Sequence, residues 1–351
     1  MKKYNKNFTF YIFISLIFIA FFIVLQNVIN DPFSVFSKTN FEAIKNKKYL
    51  PNERYIKMKY ILSHKNKYDS FLIGSCTSNF INLDNIPNQK WYNLTYTNTT
   101  IAEMYRSFKL LVDNNVKIDR ILMQISEASL KDSPSDYINT CQKYLNFCSY
   151  PISFDEKISF WSRYLFYAPF INSAKYDIWI DSFKRNIFKG GSFIDELPND
   201  FSQMYKTKYE TFTTGAGFDN RKYDLNNIDF IKEIVNICNQ KNIEFRLFII
   251  PEYIDIYLSN DLQTFNDFKR KLVLVTPFYD FTGLNKIAIN KMYFTDPIHI
   301  NNWASKLIVD RLFFENKNDT PSIKGYGVYV TQKNIDEHIH NLESEIKIYN
   351  K

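Results

Sequence analysis

Two short segments far apart in the chain carry the side chains best suited to chemistry. Phe71-Leu72-Ile73-Gly74-Ser75-Cys76-Thr77-Ser78 is an apolar run that breaks at a glycine and delivers a cluster of hydroxyls and a thiol. Asp296-Pro297-Ile298-His299 offers a carboxylate and an imidazole. Thiols and hydroxyls attack poorly unless a base takes their proton, and the base works best when a third group orients it. Each half alone has a plainer reading, since Gly and Ser are ordinary turn residues and an isolated histidine becomes a base only where a fold places it. The pair points to nucleophilic catalysis.

The elements around these segments place them at strand ends. Hydrophobic periodicity predicts strands over 68–75, 91–95, 118–126, 243–250 and 278–281, with helices over 102–114, 228–240, 262–272 and 301–314. In the last helix, Trp303, Leu307, Ile308 and Leu312 fall at core-like spacing. Strands alternating with helices imply an α/β fold with a mostly parallel sheet covered by helices on both faces. In such a sheet, loops at the carboxyl ends of the strands can meet, and both segments would sit there.

At these residues the chain resembles the SGNH/GDSL hydrolase superfamily, whose fold is flavodoxin-like. Gly74-Ser75-Cys76-Thr77 matches the block that carries the nucleophile, and Asp296 and His299 match the late block that completes a triad. The resemblance spans roughly residues 68–315 and implies Cys76 as nucleophile, His299 as base and Asp296 as its orienting group, with Ser75 as the alternative nucleophile if the register is one residue out. The family's oxyanion donors follow the second and third strands. Tyr92-Asn93-Leu94-Thr95-Tyr96-Thr97-Asn98 and Leu122-Met123-Gln124-Ile125-Ser126-Glu127 occupy those places here. Glu127 falls near the family's Asn position, and an ionised carboxylate cannot donate. That leaves the backbone N–H of Cys76 with Asn98 or Ser126 as the expected donors.

The amino terminus predicts a membrane anchor. Lys2, Lys3 and Lys6 precede an uncharged run from Asn7 to Asn30, apolar over residues 8–29 and long enough for the ~20 residues that cross a bilayer. The lysines favour a cytoplasmic start and an extracytoplasmic bulk. A cleaved signal peptide is the alternative, opposed by the length of the run and the lack of a small-residue cleavage site. The reading is therefore a cytoplasmic end and anchor over 1–30, a juxtamembrane segment over 31–67, the SGNH-like domain over 68–315 and a tail over 316–351. An aromatic-rich helical insertion interrupts that domain at 128–225. It reads first as a satellite core and second as a lid or partner surface. The tail holds a possible strand near 327–330 and a charged helix, without evident chemistry.

Composition narrows the function classes. The net charge of +7 is spread among acids and partly belongs to the N-terminal lysines, so the surface is not a nucleic-acid stripe. The 33 Phe and 25 Tyr suffice for a large core. No glycine-rich phosphate loop suggests a nucleotide cofactor, and no cofactor is expected. The four cysteines fit no zinc spacing, and His338 with His340 makes a poor metal pair. Cys141 and Cys148 could pair in an oxidising compartment, and Cys238 reads as a small buried hydrophobe.

Taken with the family resemblance, these features imply a membrane-anchored acyltransferase or esterase acting on O-acyl groups of a cell-surface glycan. It is similar to alginate O-acetylation and teichoic acid D-alanylation accessory proteins, which work beside a multi-spanning membrane acyltransferase. A catalytically degenerate binding or scaffold protein of the same fold is the competing expectation, and a plain periplasmic esterase is the third.

Overall fold

Strands and helices alternate along the chain in this computed structural model, which describes residues 2–31, 33–36, 51–84, 86–131, 141, 145–167 and 223–349. In chain order the elements are α1 (Lys2–Asn30), α2 (Glu53–Ser63), β1 (Ser70–Ser75), β2 (Trp91–Tyr96), α3 (Ile101–Asp113), β3 (Arg120–Ile125), α4 (Glu127–Lys131) and α5 (Phe154–Leu165). The chain continues through α6 (Asn227–Lys241), β4 (Glu244–Ile249), α7 (Ile254–Ser259), α8 (Leu262–Val275) and β5 (Phe278–Asp280). Then come β6 (Phe294–Asp296), β7 (His299–Ile300), α9 (Asn302–Phe313), β8 (Val328–Val330) and α10 (Ile335–Tyr349). Two compact units result: Met1–Tyr60 with Ile138–Leu197, and Ile61–Tyr137 with Pro198–Lys351.

The second unit is built on a six-stranded sheet of order β2-β1-β3-β4-β5-β8. The first five strands are parallel and β8 runs antiparallel to β5. This is a doubly wound order, in which β1 is flanked by β2 and β3, so the chain leaves it at a switch point where a crevice opens at the carboxyl edge. β1 and β2 are buried along their whole length, as the continuous apolar strands of a covered parallel sheet must be. Phe71, Leu72, Leu122, Phe108, Phe248 and Phe268 fill the core on either side. Local signals start the helices where expected: Thr100 accepts from Glu103 N–H ahead of α3, and Asp261 accepts from Thr264 N–H ahead of α8. Asn242 ends α6 in the left-handed conformation at φ 55°.

One expectation changes. Trp303 does not join the core: it is 73% exposed, while Ile308 and Leu312 behind it are buried. It lies in the first turn of α9, on the side turned from the sheet, so spacing alone misassigned it. The strand expected near 327–330 and the charged helix after it are present as β8 and α10; β8 extends the sheet, and Ile335, Ile339 and Leu342 of α10 are buried.

The first unit begins with an apolar helix. Its segment Asn7–Ile29 has 23 residues and no part of its apolar window is buried within the protein. At 1.5 Å per residue it is about 35 Å long, enough for the ~30 Å hydrocarbon core. Beyond it, Phe33, Val35, Tyr55, Phe160 and Tyr164 form an aromatic cluster with Cys148. This agrees with a satellite core for the aromatic stretch. Asn27 Nδ2 donates to the carbonyls of Leu165 and Tyr167, each at 2.8 Å, tying α1 to the end of α5. Cys141 and Cys148 are disulfide-bonded. Most of the expected insertion, at 132–140, 142–144 and 168–222, lies outside the described residues.

Candidate active site

The turn after β1 is shaped by close approach. A Cβ at Gly74 would lie 2.6 Å from Gln124 Oε1 and 2.9 Å from Gln124 Cβ, so only glycine lets β1 pass β3 here. Gln124 Oε1 then accepts from Ser75 N–H at 2.8 Å, Ser75 Oγ at 3.2 Å and Ser78 Oγ at 3.2 Å. Ser75 Oγ also lies 2.8 Å from Thr77 Oγ1 and 3.4 Å from Ser126 Oγ, and Ser78 Oγ donates to the Ser75 carbonyl. Ser75 is thus a buried structural hydroxyl, with Thr77 and Ser78 buried beside it. Cys76, which opens a 3-10 turn over Cys76–Ser78, is half-buried and is the group the turn presents.

The late block folds back on itself. β6 and β7 form a small antiparallel ribbon in which Asp296 and His299 are partners. Asp296 Oδ1 accepts the N–H groups of Ile298 and His299, both at 3.0 Å, and Oδ2 lies 2.7 Å from His299 Nδ1. The Tyr253 N–H, just past β4, donates to the Pro297 carbonyl at 2.9 Å and fixes this loop over the strand ends. Asn301 caps α9 through Trp303 N–H and Ala304 N–H. The Cys76 side chain is close enough to the imidazole to contribute to its electrostatics. Nδ1 is committed to Asp296.

Cys76, His299 and Asp296 therefore come together as a thiol, an imidazole and a carboxylate. Burial raises the Asp296 carboxyl, but the His299 hydrogen bond and charge and the two N–H donors prevail and hold it below the usual range. For His299, burial pulls the other way. The hydrogen bond to Asp296 and the hydrogen bond and charge of Cys76 outweigh it and push the imidazole up to about 10. The raised value favours the charged imidazole.

The expected side-chain donors are placed differently: Ser126 Oγ lies 3.4 Å from Ser75 Oγ, and Asn98 is exposed. Ser126 is buried, and its hydroxyl accepts from Ser129 N–H at 3.3 Å as part of the start of α4. Asn98 lies in an exposed turn past β2 with φ 50°. Glu127 is buried against Lys131 at 2.6 Å and accepts from the Tyr223 hydroxyl. Glu252, past β4, accepts from Asn260 Nδ2 at 3.0 Å. Burial first, and then the charge of Glu127, push the Glu252 carboxyl up to about 8. Between its ordinary 4.5 and about 8, the folded protein holds a proton that the unfolded chain releases, so stability falls as pH rises through that window. Glu252→Gln should therefore raise the melting temperature by several degrees at pH 9 and little at pH 5. Parallel melting curves at both pH values would refute the assignment.

Sequence reasoning missed Gln124, although a lone amide inside an apolar strand is a visible anomaly. It also gave the tail no role, whereas His338 Nε2 lies 2.9 Å from Asp280 Oδ2 and Lys269 Nζ lies 2.8 Å from the same oxygen. Among the described residues no three His, Cys, Asp or Glu side chains gather so as to hold a metal ion. A cavity of about 410 Å³ lined by Glu244, Arg246 and Lys317 sits at the amino end of β4, away from Cys76. A smaller one of about 120 Å³ is lined by Asn79, Asn82, Trp91, Asn93 and Asn302 and contains neither Cys76 nor His299. No protein-family model matches the chain, and no curated protein matches it.

Proposed function

We propose that this chain is a membrane-anchored, extracytoplasmic acyltransferase or esterase of SGNH type, acting on O-acyl groups of a cell-surface glycan. The observation that carries the reading is the Cys76–His299–Asp296 constellation at the carboxyl edge of a doubly wound sheet. The apolar helix at the amino terminus supports anchoring, and the lysines before it support a cytoplasmic start. A multi-spanning membrane acyltransferase is the partner that the family resemblance implies.

In the reaction, the Cys76 sulfur attacks the carbonyl carbon of an O-acyl ester and the carbon–oxygen bond to the alcohol breaks. The departing oxygen takes the proton from the His299 imidazolium, leaving a thioester on Cys76. An acceptor hydroxyl, or water, then attacks the thioester, gives its proton to His299 and releases the thiolate. Asp296 holds the ring in the tautomer that both steps need. Backbone N–H groups at the start of the 3-10 turn are the donors this fold offers to the tetrahedral oxyanion.

The competing reading is a scaffold that kept the fold and lost the chemistry, and a specific observation favours it. The family's third donor position holds Glu127, which is ion-paired with Lys131. Incubation of the detergent-solubilised chain with p-nitrophenyl acetate separates the two readings. An acetyl mass increment on the Cys76 peptide, lost in Cys76→Ala, is the expected result. An unmodified Cys76 with unaltered surface acylation in Cys76→Ala cells would leave the scaffold.

A further inference from the structure

Helix α5 carries two apolar faces. Phe160 and Tyr164 make the buried one and pack into the aromatic cluster of the first unit. The other is open: Phe154 is 76% exposed and Ile158 54%, Leu165 is half-buried, and Ile152 and Phe166 at the two ends of the helix are exposed as well. At about 100° per residue, Phe154, Ile158 and Leu165 share one stripe, and Phe160 with Tyr164 lies about 120° round the helix from it. Trp161 stands at the border between the faces, with its ring against Phe36 and Tyr55. A run of large apolar side chains along a second face marks a surface that meets something other than water.

What the stripe meets follows from where α5 is tied. Asn27 Nδ2 donates to the carbonyls of Leu165 and Tyr167, each at 2.8 Å, and Asn27 lies two residues before the end of the apolar segment Asn7–Ile29. With α1 across a bilayer, Asn27 stands about 3 Å inside the end of that segment. The carboxyl end of α5 is therefore fixed at the level where hydrocarbon gives way to headgroups. Its other end opposes insertion alongside α1, because the first turn holds Asp155, Glu156 and Lys157, charges that hydrocarbon accepts only at high cost. A helix lying in the interface plane satisfies both ends: Asp155, Ser159 and Ser162 occupy the exposed polar side, and the apolar stripe is left for the acyl boundary.

We propose that α5 is an interfacial helix, lying on the bilayer at the end of α1 with Phe154, Ile158 and Leu165 against lipid; the inference rests on the membrane-anchor reading above. Lipid gives this face the apolar contact that the protein does not. Trp161, apolar in body with one polar N–H, suits the headgroup level at the edge of the stripe. The first unit is then held to the membrane by two helices, one crossing it and one lying on it.

The test is nitroxide accessibility on the full-length chain in nanodiscs of phosphatidylethanolamine and phosphatidylglycerol, with Cys76→Ser removing the reactive thiol. Labels go on Ile158→Cys and, one residue on, Ser159→Cys. Phe154→Cys with Asp155→Cys repeats the comparison one turn earlier, and each of these positions is exposed, so the substitutions leave the packing of α5 intact. A further label on Phe18→Cys, in the middle of the apolar segment of α1, reads the span itself. The ratio of oxygen to nickel-chelate collisions should be severalfold higher at 158 than at 159, and at 154 than at 155. Equal ratios in either pair would overturn the proposal. Protection of 154 and 158 from both reagents would also overturn it, since a second copy or another protein then covers the stripe. A label at 18 open to the nickel chelate removes the anchor and the proposal together, whereas a lipid-facing 18 with water-facing 154 and 158 removes only the interfacial helix.

Discussion

Iodoacetamide should modify Cys76 well before Cys238, and His299→Ala should slow that modification roughly tenfold or more at pH 7. Two cysteines are free among the described residues, and they differ in kind. Cys238 is fully buried in α6, and burial pushes its thiol up to about 12. Cys76 is half-buried and lies beside a histidine whose imidazole is pushed up to about 10. A half-buried thiol beside a cationic imidazole is more reactive toward alkylation than one sealed in an apolar helix. The raised histidine also has a stability consequence. Its favourable contribution is complete below the ordinary value of 6.5 and is lost as pH rises through about 10. Wild-type and His299→Ala stabilities should therefore converge on the alkaline side. Ser75→Ala is the register control: it removes hydroxyl bonds to Gln124 and Thr77 and should cost stability without abolishing alkylation. If Ser75→Ala instead abolishes acyl transfer while Cys76→Ala preserves it, the nucleophile is Ser75. If His299→Ala alkylates at the wild-type rate, the ion pair does not operate.

Much of this site was legible because its two halves are local in sequence. Gly74 through Ser78 closes an apolar strand, and Asp296 through His299 bends back through its own Asx hydrogen bonds, so each half is set by a few adjacent residues. The parallel strands were legible for the same reason, as unbroken apolar runs between helical repeats. What escaped was everything made by residues distant in sequence. Gln124 reaches across 49 residues to hold Ser75, and no periodicity marks such a contact. His338 was set aside as part of a charged tail, yet a strand pairing that depends on only three residues, Val328–Val330, carries the whole segment onto the sheet edge. Trp303 failed for a different reason. Ala304, Ile308 and Leu312 make the buried face of α9, and Trp303 lies on the side turned from it, so its spacing to Leu307 matched a repeat that does not face the core.

Lys269→Met should lower the unfolding free energy of the sheet unit by about 3–5 kcal/mol, because it strands a buried carboxylate. Lys269 and Asp280 are both fully buried, with Nζ 2.8 Å from Oδ2, and His338 Nε2 lies 2.9 Å from the same oxygen. Oδ1 accepts from Thr282 N–H at 2.9 Å and Thr282 Oγ1 at 2.7 Å, so every lone pair faces a donor. Burial alone would raise the Asp280 carboxyl. The Lys269 charge, and then the hydrogen bond and charge of His338, reverse this and hold it well below the usual carboxylate range. A depressed carboxylate stabilises the fold above its ordinary value of 3.8, and that contribution is lost as pH falls through the lower folded value. The cluster joins α8, β5 and α10 at the same carboxyl edge from which the chain proceeds to the Asp296–His299 loop. Urea denaturation followed by circular dichroism reads the effect. Asp280→Asn in the Lys269→Met background should cost less than the sum of the single changes, since the two groups compensate each other. A loss below about 1 kcal/mol for Lys269→Met, or strict additivity in the double variant, would show that the pair is not coupled in the folded protein.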